Sequence, residues 1–202
     1  MNKRSVEKLI DFIKSECKKH KVKFELRKGK YVQCEKGIKS SGYFDTEEKS
    51  LVCAKNNPNF IYIVAHEYCH LTQSLDNCKA WKNYENSESG ILTDWLTGKN
   101  FNIKRIKKVI NTSLHLELDN EKRTIKVLKK FGMSKKELDL YIQKSNAYVL
   151  FYLYMLETRQ WYKPNNAPYE NVKVVRSMSK KFNMNYSKLS NKAKKAFILG
   201  KI

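Results

Sequence analysis

Apolar residues at Val6, Leu9, Ile10, Phe12 and Ile13 recur at helical spacing. They predict an amphipathic first helix that ends near His20. The period then changes. Residues 22–26, 31–34, 42–44 and 50–53 are short runs rich in β-type side chains, and the polar stretch 45–49 reads as a turn joining the last two. The expectation is a small antiparallel sheet of three or four strands. Asn57 and Pro58 next read as a helix start, with Asn57 as N-cap and Pro58 at the first helical position. That helix is predicted to run to about Ser74. Residues 77–89 are polar and read as loop, and residues 90–96 as a short helix stopped by Gly98.

From Ile103 to Phe131 the helical period returns, through Ile106, Ile110, Leu114, Leu118, Ile125 and Leu128, with Gly132 as its stop. Ser134 and Glu137 have capping-box spacing. They open a second long helix, predicted to reach Trp161 with Pro164 just beyond. After a loop at 165–168, the last thirty residues are expected to hold one more basic helix, near 188–199. The fold class is therefore α+β: a small sheet with one central helix and two long ones.

Composition narrows this picture. The chain has 202 residues, 41% of them hydrophobic, enough for a real core. The longest apolar run, residues 147–156, is half the roughly 20 residues needed to span a bilayer. The first residues lack the apolar segment of a signal peptide. Five cysteines without a CxxC pair fit reduced thiols. An intracellular location and no membrane partner are expected.

The formal net charge is +21. It divides as +7 over residues 1–60, −2 over 61–100 and +16 over 101–202. Only six of the basic residues are Arg, the side chain suited to bidentate base and phosphate contacts. The Lys-rich flanks fit non-specific attraction to nucleic acid better than sequence reading.

The one acidic stretch carries the chemistry. His66-Glu67-Tyr68-Cys69-His70 is HExxH, expected by chance in about one chain of this composition in 200. On a helix, His66 and His70 lie one turn apart on one face and can share a Zn²⁺ ion. Glu67 beside them can act as general base toward a water whose pKa the metal lowers to about 7. Catalytic zinc takes a third protein ligand and keeps an open position. The candidates, in order, are Glu121, Glu117 and Asp76. Glu121 lies in the apolar stripe of the long helix, where a carboxylate is costly without compensation. Glu117 is one turn earlier, and whichever of the two is not the ligand can accept from a histidine N–H. Asp76 stands six residues past His70, but zincins with that spacing turn the chain at a Gly where this chain has Gln73. Tyr148 is a candidate oxyanion stabiliser. Asn146 reads either as orienting a ligand or as a surface polar residue. His115 and His20 read as surface residues, and Cys69 as a small buried hydrophobe.

The order of a helix, a hairpin with Gly42-Tyr43-Phe44-Asp45 and Leu51-Val52-Cys53, HExxH, and a glutamate-bearing helix resembles the minimal gluzincin core. ImmA/IrrE-type and SprT-like metallopeptidases share it. Segments 117–123 and 141–148 are further similar to those of small phage-encoded metallopeptidases, so an intracellular site includes the host cytoplasm if the chain is phage-encoded. The resemblance implies a zincin-like metallopeptidase domain over residues 1–165, with residues 166–202 as a basic C-terminal extension packed on or flanking it. It also implies Zn²⁺ as cofactor and a protein or peptide substrate lying along the strand near residues 51–55. The rival readings are a nucleic-acid-associated protein, or a structural protein that retains a zinc site. No oligomeric state is legible.

Overall fold

The computed structural model describes residues 1–34, 39–163 and 165–202. They group into two compact units, Met1–Cys78 with Arg123–Ser134, and Lys79–Lys122 with Lys135–Ile202.

In the first unit, helix α1 (Lys3–Lys19) is capped by Asn2, whose side chain accepts from the Ser5 N–H at 2.8 Å. It buries Leu9, Ile13 and Cys17, the inward face that the sequence spacing predicts. Lys21 adopts a left-handed backbone, and the Val22 N–H returns to Cys17 O. This reversal feeds β1 (Lys23–Arg27). Strands β2 (Val32–Gln33) and β3 (Lys39–Ser40) pair with each other as a separate antiparallel ribbon. Strands β4 (Gly42–Asp45) and β5 (Ser50–Ala54) form the expected hairpin. Its turn is pinned by Asp45 Oδ1, which accepts from the N–H groups of Glu47 and Glu48, each at 2.8 Å.

The sheet departs from the expectation. Its order is β1-β5-β4, antiparallel between β4 and β5 but parallel between β1 and β5, with Phe24 opposite Leu51. A tight turn dictates antiparallel pairing only for its own two strands. The direction of β1 is set by a long-range partnership that leaves no local signature. The strand expected to hold substrate at its edge is in fact central and buried along its whole length, and both of its edges are occupied.

Helix α2 (Phe60–Leu75) packs on β4, β5 and α1. It starts two residues later than predicted. Asn57 Oδ1 accepts from the Asn59 N–H at 2.8 Å and its Nδ2 donates to Lys30 O at 3.0 Å. Asn57 therefore pins the turn before the helix and ties it to the loop after β1. The Phe12 ring meets Tyr68 edge-on at 5.6 Å and Phe131 at 5.2 Å.

Helix α5 (Ile103–Lys130) contributes its last turns to this first unit and the rest to the second. It ends where predicted. Gly132 has φ +81°, and the Met133 N–H reaches back to Leu128 O at 3.0 Å, a glycine-dependent C-terminal stop.

The second unit is helical. The polar stretch expected to be loop contains α3 (Lys79–Glu85), anchored by the buried Trp81. Helix α4 (Ile91–Leu96) follows as predicted. Helix α6 (Lys135–Thr158) begins directly after Ser134 but stops three residues before Trp161. There Arg159 takes a left-handed backbone, and its guanidinium donates to Trp95 O at 2.7 Å and Lys99 O at 2.6 Å. Pro164 lies outside the described residues. Two short helices follow rather than one, α7 (Val172–Ser177) and α8 (Asn191–Leu199). Ile110, Leu114, Leu150, Phe151, Met155 and Phe197 form the centre of this unit's core.

Thus the chain is α+β, as expected. Among the described residues no helix is long and apolar enough to cross a membrane.

Candidate metal centre

Helix α2 explains why the motif residues meet. Its apolar residues Val64, Ala65, Tyr68, Cys69 and Leu71 are buried. Burial of those positions fixes the helix rotation, and with it the direction of residues 66, 67 and 70. His66 and His70 are a turn apart, their ring centroids 4.8 Å apart and the rings nearly perpendicular. The two Nε2 atoms face each other at 3.2 Å. Two nitrogens bound at tetrahedral angles to zinc at about 2.0–2.1 Å would be about 3.3–3.4 Å apart. The observed spacing fits a shared ion without rearrangement. His66, Glu67 and His70 offer ligand atoms all within 4.8 Å of one another. Among the described residues this is the group of three His, Cys, Asp or Glu side chains able to hold a metal.

Gln73, one turn on, is fully buried. Its Oε1 lies 2.9 Å from His70 Nδ1. With the amide oxygen on that side, Nδ1 carries the proton and donates it. Nε2 of His70 then presents a lone pair toward His66. The contact between the Nε2 atoms is closed either by an N–H from His66 or by a cation shared between two lone pairs. Burial holds the His70 pKa down to about 3, the neighbouring His66 adds to this, and the contact with Gln73 opposes it. His70 is thus neutral at pH 7.

Glu67 is 9% exposed and approached from the sheet by Gly42. A Cβ on Gly42 would lie 2.7 Å from Ile63 Cγ2, 3.1 Å from Glu67 Cγ and 3.1 Å from Val52 O. The glycine is required for space, because any side chain there would crowd Ile63 first and then Glu67 and the Val52 carbonyl. The thiols of Cys53 and Cys34 are both raised, chiefly by burial and further by the Glu67 carboxylate. Cys69 is fully buried, as expected for a residue off the histidine face.

The remaining candidates separate clearly. Asp76 is the C-cap of α2, and its carboxylate pairs with Arg123 at 2.5 Å. Glu117, Glu121, Tyr148 and Asn146 belong to the second unit. Glu121 is 5% exposed and accepts from Ser145 Oγ at 2.6 Å. It is buried, as its place in the apolar stripe predicts. Glu117 is also buried. Burial, and then the Glu117 charge, push the Tyr148 phenol well above its ordinary pKa. Its hydroxyl lies 3.4 Å from that of Tyr152, and its ring packs edge-on against Tyr152 and Tyr169.

Asn146 is not a surface residue. It is fully buried, donates to Ser179 O and Lys181 O, and accepts from the Tyr186 hydroxyl at 2.6 Å. It therefore secures the segment between α7 and α8. His115 is exposed. His20 caps α1 beside Glu16. All five cysteines are unbridged. The residue that sequence reasoning missed is Gln73. Its signal was available: an amide side chain three positions past His70, one helical turn away on the same face.

No protein-family model matches the chain, and neither a curated protein nor a solved structure matches it.

Proposed function

We propose that the chain is a zinc-dependent metallopeptidase whose metal is held by His66 and His70. The observation that carries this reading is the 3.2 Å approach of the two Nε2 atoms on one face of α2. Zn²⁺ bound there would supply Lewis-acid activation of a water and of a peptide carbonyl. The protein's own part is performed by three side chains. The histidines present imidazole nitrogens to the ion, and Glu67 takes a proton on a carboxylate oxygen and passes it to the departing amine. The absence of a side chain at Gly42 leaves room for Glu67 beside the sheet.

The test combines metal analysis with peptide hydrolysis. About one zinc per chain is expected in the purified protein, lost in His66→Ala. Glu67→Gln should keep the metal and lose at least about 100-fold in hydrolysis, the lower end of what a positioned base contributes. A folded protein that takes up no zinc rejects the proposal. Undiminished hydrolysis in Glu67→Gln rejects its general base.

The net charge of +21 favours a second reading, in which Lys-rich surfaces bind nucleic acid. α8 exposes Lys192, Lys194 and Lys195. Affinity for DNA should then fall steeply with salt, and absence of binding at low salt excludes it.

A further inference from the structure

We infer that Gln73 is a positioning residue of the same centre, setting which nitrogen of His70 is free to bind a metal. The inference rests on the metal site proposed above and adds a residue to it. Three observations carry it. Gln73 is fully buried, where an amide is retained only with hydrogen-bond partners. Its Oε1 is 2.9 Å from His70 Nδ1, a normal hydrogen-bond length. On the opposite side of the same ring, Nε2 faces His66 Nε2 at 3.2 Å. Because neutral imidazole carries one N–H, fixing it at Nδ1 leaves Nε2 bare. A buried acceptor on the far nitrogen fixes both ring orientation and tautomer, the two properties on which a histidine ligand depends.

The geometry is local to one helix. Residues 70 and 73 lie three apart, so their side chains meet over a single turn. No loop has to order to bring them together. Helix α2 continues through residue 75, so both side chains sit on one unbroken helix, and Asp76 beyond it is engaged by Arg123.

The experiment uses the full chain and Zn²⁺ as the probe. Gln73→Met keeps the volume and removes the acceptor, whereas Gln73→Glu restores one. Competition with a chromophoric chelator should show zinc affinity lowered about 10–100-fold in Gln73→Met, and recovered in Gln73→Glu. Independently, the ¹⁵N–¹H imidazole correlations of His70 in chelator-treated wild type should show a protonated Nδ1 and a bare Nε2. Gln73→Met should shift that population toward protonated Nε2. A wild-type His70 protonated at Nε2 overturns the inference, as does a folded Gln73→Met with unchanged zinc affinity. If wild type takes up no zinc, the metal reading fails, while the His70 tautomer still decides the role of Gln73.

Discussion

Acidification should destabilise the metal-free protein through His70, by an amount the structure sets. In the folded chain the His70 pKa is held down to about 3, first by burial and then by His66. In the unfolded chain it returns to the ordinary value of about 6.5. Between these values the unfolded state binds the extra proton. Stability therefore rises with pH across the window and is lost as pH falls from about 6.5 toward 3. From pH 7 to pH 5 the unfolded imidazole goes from about one-quarter protonated to almost fully so, while the folded one stays neutral. The linkage integral over that step is about 2 kcal/mol.

The comparison that isolates this is wild type against His70→Gln, both with chelator, at pH 7 and pH 5. Urea unfolding is followed by far-ultraviolet circular dichroism. His66 and the carboxylates are common to both proteins, so their contributions largely cancel. Wild type should lose about 2 kcal/mol more than the variant over the two pH units. At an m-value of about 2 kcal/mol/M this is a midpoint lowered by about 1 M more. Equal losses in the two proteins would mean that His70 takes up its proton in the folded state, and the account of a neutral, enclosed ligand would fall.

Two further predictions concern the neighbours of the histidines and the third ligand. Gly42→Ala places a methyl against Ile63, Glu67 and Val52 O, and should cost about 1–3 kcal/mol by overpacking, read in the same urea experiment; stability equal to wild type would show that α2 and β4 separate freely. Glu121→Gln and Glu117→Gln test the sequence expectation that one of these carboxylates is a zinc ligand. The amide oxygen introduced by Glu121→Gln can still accept from Ser145 Oγ, so that variant should fold. The variant that drops below about half the wild-type zinc content while folded identifies the ligand, and full zinc in both removes both from consideration.

What was legible in the sequence was what is locally encoded. The face of α1, the hairpin at Asp45, the stop at Gly132 and the start of α6 each depend on residues within one or two turns of each other. The elements that escaped depend on distant partners. The parallel pairing of β1 with β5 joins residues 27 apart. Helix α3 is polar in composition and held by one buried tryptophan. Helix α6 ends at residue 158, where Arg159 reaches carbonyls some 60 residues away. Asn146 has its partners 33 to 40 positions on. The candidate site divides along the same line. HExxH is local and was readable, and so was the burial of Glu121. The role of Gln73 needed the ring orientation of His70, which is a product of packing.

The groups around Glu67 also bear on what the centre would hold. Two thiols, Cys53 and Cys34, feel its carboxylate, and thiolate would be the stronger zinc donor if it formed. Burial raises both thiols well clear of neutral pH, and the carboxylate raises them further. The side chains whose ligand atoms lie together are His66, Glu67 and His70, and neither thiol is among them. The same burial acts in the opposite sense on His70, whose charged form is the cation, and keeps it neutral. In both cases burial disfavours the charged form, the thiolate for cysteine and the imidazolium for His70. Zinc bound by the two imidazoles, with the carboxylate alongside, would keep a position for water, as the proposed hydrolysis needs. The net charge of +21 contributes nothing to this selection, because burial and side-chain geometry on α2 decide it.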